Sequence, residues 1–138
     1  MKRVFAHKRP SAKRRGATAV EFALAAPILF LFVFASVEFA RANMIFNTIE
    51  NAAYEGARRG VVPGATEPDC KAATQTLLDI VGIKNSTVTV DPTTINESTE
   101  SVTVTVDVPM TVSNGYVASH FFLGKTLSVS ITLPRESN

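Results

Sequence analysis

The sequence predicts an α+β protein: a long amino-terminal helix, one shorter helix, then a small antiparallel sheet of three to four strands. Three observations carry this. The run Phe22–Val37 is sixteen residues without a charge, and apolar positions then recur every three or four residues to about residue 59. A second helical pattern joins Cys70, Ala73, Leu77 and Val81. After Ile83 the period changes to two, in Thr87–Val90, Val102–Val108 and Leu127–Leu133. Alternating Val or Leu with Thr or Ser is the pattern of a sheet with one buried and one wet face.

Length and charge set the frame. At 138 residues the chain has room for one modest folded domain besides the apolar run. The formal charge of +2 hides an asymmetry. Residues 1–16 hold Lys2, Arg3, Lys8, Arg9, Lys13, Arg14 and Arg15 and no acid, which leaves the rest of the chain at −5. A basic leader joined directly to an apolar run places the amino terminus on the cytoplasmic side of a membrane. Read as a nucleic-acid-binding arm, the same leader lacks aromatic interleaving beyond Phe5 and has no partner fold, so no nucleic-acid partner is expected.

The sixteen uncharged residues span roughly 24 Å as a helix, short of a hydrocarbon core of about 30 Å. Extending the segment to membrane length takes in Glu21 and Glu38. Three readings compete: a secretory signal peptide with a small-residue site at Val33-Phe34-Ala35, a plain single-pass anchor, and a processed membrane helix. The helical pattern continues past Ser36 as Glu38–Phe46, against the first. An acid at the start of an apolar segment is costly unless it serves a purpose, against the second.

Arg14-Arg15-Gly16-Ala17-Thr18-Ala19-Val20-Glu21-Phe22 resembles the processing region of a type IV prepilin. With Pro27, Val37-Glu38-Phe39-Ala40-Arg41 and Asn51-Ala52-Ala53-Tyr54-Glu55-Gly56-Ala57-Arg58, it resembles the TadE-like minor pilins (pseudopilins) of the tight-adherence, or Tad, pilus over roughly residues 14 to 60. The resemblance implies a leader, residues 1–16, removed by a prepilin peptidase between Gly16 and Ala17. It implies an inner-membrane helix over 17–60, transmembrane at about 22–42 with an amphipathic extension to about 59, and an extracytoplasmic domain over 61–138. The amine freed on Ala17 would meet Glu21 of a neighbouring subunit, neutralising two charges in apolar surroundings and setting axial register. Other pilin and pseudopilin subunits and the membrane assembly machinery are the implied partners, and attachment and biofilm formation the implied outcome. The folded C-terminal domain argues for a minor subunit, since a major pilin of this system ends soon after its helix. From the residues alone, an uncleaved anchored binding domain remains the alternative.

Pro27 removes one helical hydrogen bond and is expected to kink the helix. Beyond the membrane, Phe39, Ala42, Phe46, Ile49, Ala53 and Gly56 form the expected core stripe, opposite Arg41, Asn43, Asn47, Glu50 and Asn51. Gly60 and Pro63-Gly64 stop this helix. Thr66-Glu67-Pro68-Asp69 reads as a capped helix start and Gly82 as its end. Asp91-Pro92, Asn96–Glu100 and Asn114-Gly115 supply turns, and Pro109 suggests that the second strand is an edge or is bulged. The apolar, irregular Tyr116–Gly124 segment either covers the sheet or contacts another subunit.

No catalytic chemistry stands out. There is no nucleophile elbow, no phosphate loop and no His beside a nucleophile; His120 sits among Ser119, Phe121 and Phe122. Asp91, Glu97, Glu100 and Asp107 read as turn and strand acids. His7 and His120 are far apart, and Cys70, the sole cysteine, permits no intrachain disulfide and reads as a core residue. No metal, cofactor or enzymatic activity is expected.

Overall fold

The structure is a computed structural model that describes residues 12–115 and 124–135, with side chains from Gly16 onward. His7, the leader up to Ser11, and the Tyr116–Leu123 stretch with His120 lie outside the described residues. The elements follow the expected order. Helix α1 is Ala12–Gly60, α2 is Glu67–Val81, and strands β1, β2 and β3 are Thr87–Asp91, Ser101–Pro109 and Thr126–Pro134. A single 3-10 turn, Val112–Asn114, follows β2. By packing, the chain divides into two units, residues 1–36 and 37–138.

The first unit is helix alone. It starts at Ala12 rather than near Ala17, because Ala, Lys and Arg are strong helix formers and carry the helix back into the leader. Helical geometry runs through Pro27 without interruption. The proline ring leaves the carbonyl one turn earlier without its usual donor, a loss that membrane helices tolerate.

The second unit packs α2 and the sheet against the C-terminal part of α1. The sheet order is β1-β2-β3, antiparallel throughout. Strand β2 is therefore central, and Pro109 is its last residue, opposite Thr126, rather than the mark of an edge. At the end of a ladder the missing proline N–H is harmless. Val102, Val104, Val106 and Val108 are fully buried, with Val90 and Val129 beside them on the neighbouring strands. The other face is hydroxylated: Thr103 and Thr132 are 2.8 Å apart, and Thr105 and Ser130 2.9 Å apart, as cross-strand hydrogen-bonded pairs.

On α1 the buried stripe is rotated from the expected one. Phe39 and Phe46 are 72% and 41% exposed, whereas Ile45, Ile49, Ala52, Ala53 and Ala57 are buried, with Ala42 partly so. Small residues win this face because the partners come close. A Cβ on Gly56 would lie 2.0 Å from Thr74 Oγ1, and one on Gly60 2.8 Å from Val102 Cγ1 and 2.9 Å from Cys70 Sγ. The α2 face shifts likewise: Cys70, Thr74 and Leu78 are buried with Leu77 packed beside them, and Val81 is half exposed. Thr74 enters the core because its hydroxyl donates to the Cys70 carbonyl at 2.9 Å, leaving its donor satisfied.

The ends of α2 form as read. Asp69 accepts from the Thr66 backbone N–H at 3.0 Å and the Thr66 hydroxyl at 2.6 Å. Gly82 closes the helix at φ 77°, with its N–H and that of Ile83 returning to carbonyls of the last turn.

Candidate functional site

The segment singled out by sequence lies at the start of α1. Every large apolar side chain from Val20 to Val37 is at least 50% exposed. So much contiguous apolar surface is incompatible with water as its only surroundings. Among the described residues α1 is the one helix long and apolar enough to cross a membrane, and it fits a single-pass anchor.

Gly16, Ala17 and Glu21 all lie on this helix and are exposed. Ala17 and Glu21 are four residues apart, hence on one face and about 6 Å apart along the axis. In the intact chain the Ala17 nitrogen is a peptide amide, so one chain does not by itself bring an amine to Glu21. Gly16 differs from the other glycines of α1. A Cβ added to it meets nothing within 4 Å, while Gly56 and Gly60 are held by close neighbours.

A second constellation, not foreseen from the sequence, sits where α1 meets the turn after β2. Asn114 is 3% exposed. Its Oδ1 accepts from the Lys84 N–H at 2.7 Å, and its Nδ2 donates to the carbonyls of Lys84 at 3.0 Å and Pro109 at 2.8 Å. Its own carbonyl accepts from Arg41 Nε at 2.8 Å. One amide thus ties the α2–β1 connection to the end of β2, and one guanidinium ties both to α1. Asn114-Gly115 announces a turn, but partners 30 and 73 residues away are invisible to a local motif. Glu38, expected at the membrane boundary, is buried at 6% exposure within the second unit.

Two groups outside the membrane segment depart from ordinary titration. The Thr66 hydroxyl, and then its N–H, hold the Asp69 carboxyl below the usual range by bonding the charged form. Burial, and then the nearby Asp69 charge, push the Cys70 thiol up, so it is an inert core group rather than a nucleophile. Among the described residues no group of three or more His, Cys, Asp or Glu is placed to hold a metal ion.

Comparison with known proteins gives one match. Residues 16–58 match the family model described as TadE-like protein, of the Tad pilus system, within α1 and beginning at Gly16. No curated protein and no solved structure matches the chain.

Proposed function

With residues 16–58 TadE-like, we propose that the chain is a prepilin-type minor pilin, or pseudopilin, processed after Gly16 and taking part in Tad pilus assembly for surface attachment. The observation that carries this is the unexplained glycine at the first matched position. A glycine inside a helix costs about 1 kcal/mol relative to alanine. Gly56 and Gly60 offset that cost by letting neighbours approach, and Gly16 has no such neighbour. Its requirement therefore lies outside the folded chain, in the cleft of a peptidase that needs a small, extensible residue before the bond it cuts.

The remaining roles follow. The basic leader holds the amino terminus in the cytoplasm, α1 anchors the chain in the bacterial inner membrane, and the second unit lies outside it. After cleavage, the Ala17 amine of one subunit pairs with the exposed Glu21 carboxylate of another as their helices pack. The chain is a substrate of processing and a building block, not a catalyst. Its partners are the prepilin peptidase, other pilin and pseudopilin subunits, and the membrane assembly machinery.

One observation favours an uncleaved anchored binding domain instead: α1 is helical from Ala12 through the Gly16–Ala17 bond. A peptidase must first unwind that turn, which Gly16 makes easier.

Mass spectrometry of the membrane-associated protein separates the two. A mature chain beginning at Ala17 is expected, and a chain retaining Met1 in cells with an active prepilin peptidase overturns the proposal. Glu21→Val is expected to leave cleavage intact and abolish incorporation into pili. Normal incorporation would remove the ion pair from the mechanism.

A further inference from the structure

Within the second unit, α1 runs along the sheet from one end of β2 to the other. Arg41 is bonded to Asn114 beyond the Pro109 end, and Gly60 lies against Val102 near the opposite end. Arg41 is the first cation after the apolar run and comes four residues after Val37, about 6 Å of helix. The Pro109–Gly115 end is therefore the one tied to the point where the apolar run stops.

That end has a distinctive surface. The Lys84 backbone is held by the Asn114 side chain, and the Lys125 carbonyl accepts from the Met110 N–H at 2.9 Å. Both lysines are exposed. Between and beside them, Val112 is 69% exposed, and Ile80, in the last turn of α2 just before Lys84, is 74% exposed. Nearby carboxylates do not cancel these cations: Asp79 accepts from Gln75 at 2.8 Å, and Asp107 lies on the hydroxylated face of β2. At the far end of the sheet the 91–100 connection carries Asp91, Glu97 and Glu100 and no base.

We infer that this end of the C-terminal unit is a lipid-docking surface, on which Lys84 and Lys125 meet anionic phospholipid headgroups while Val112 and Ile80 enter the interfacial layer. The occupant is the bilayer in which α1 is anchored, so the inference rests on the single-pass reading but not on cleavage after Gly16. Three features select it. The chain delivers this end to the interface, two aliphatic side chains protrude beside exposed lysines, and the charge of the sheet ends is polarised toward an anionic surface. An interfacial apolar tip ringed by basic residues is the arrangement that binds such a surface. Docking would hold the unit in one orientation beside the membrane before assembly.

The chain contains no tryptophan, so one introduced residue reports its own surroundings. Full-length Val112→Trp, Glu97→Trp and Val33→Trp proteins would be reconstituted in phosphatidylcholine–phosphatidylglycerol vesicles containing brominated lipid. Val33→Trp establishes insertion: its quenching confirms the anchor, and its failure to quench overturns the single-pass reading and the inference with it. With Val33→Trp quenched, strong quenching at Val112→Trp and weak quenching at Glu97→Trp is the expected result. Lys84→Gln and Lys125→Gln, which leave the backbone bonds in place, should each lower the docked-to-undocked ratio about five-fold. High salt or pure phosphatidylcholine should act in the same direction. Equal quenching at residues 112 and 97, or quenching at 112 indifferent to both lysines, to salt and to lipid charge, overturns the inference.

Discussion

Arg41 Nε donates to the backbone carbonyl of Asn114 across 2.8 Å and 73 residues of chain. The bond requires Gly115 beside it. That residue has φ 80°, and a Cβ there would lie 2.3 Å from the guanidinium carbon of Arg41.

The two residues are therefore expected to be coupled. Arg41→Ala forfeits a charge-assisted bond and should destabilise the second unit by about 1–2 kcal/mol. Gly115→Ala displaces the guanidinium and also forces a left-handed alanine, which adds about 1–2 kcal/mol. Because both changes lose the same bond, the double variant should be more stable than the sum of the singles by about 1 kcal/mol. Urea unfolding of the detergent-solubilised full chain measures this, and strict additivity would mean that the bond contributes nothing.

Glycines of one helix should respond in opposite directions. Gly60→Ala gains about 1 kcal/mol of helix propensity but forces a methyl against Val102 and Cys70, and overpacking of this kind costs about 1–3 kcal/mol. A net loss is expected, and it should shrink in a Val102→Ala background. Gly16→Ala meets no neighbour, so the helix should be unchanged or slightly more stable, with any defect confined to amino-terminal processing. Thermal unfolding read together with the mass of the mature chain distinguishes the two outcomes.

Acid should weaken the start of α2. The Asp69 carboxyl is held down by Thr66, so its folded pKa lies below its unfolded value. Such a group contributes stability that is complete above the unfolded value, near pH ~4, and is lost as pH falls through the folded one. Asp69→Asn should lower stability near neutrality and flatten the acid limb of a stability-against-pH curve. An acid limb identical to that of the parent chain would show that the cap is not coupled to folding.

The sequence made the type and order of the elements legible because those depend on local periodicity. Val102–Val108 alternates without exception, and Thr66–Asp69 with Gly82 brackets α2. Side-chain faces were less legible. Ranking positions by apolar size places Phe39 and Phe46 in the core, whereas the close approach of α2 and β2 selects Ala52, Ala53, Ala57 and Gly60. Pro109 misleads for a related reason: its position at the very end of a central strand depends on strand length, which alternation does not specify. The Gly16-to-Glu21 spacing is readable as a motif, and the family match covers it. The Asn114 clamp is not readable, because each of its bonds to Lys84 and Arg41 crosses a large sequence separation.

Cys70 is wholly buried, with its sulfur 2.9 Å from where a methyl on Gly60 would stand. As the chain's sole thiol it can be alkylated only when α1 and α2 separate there. The pace of its labelling is therefore a built-in clock for that seam, ticking each time the two helices part and silent while they stay closed.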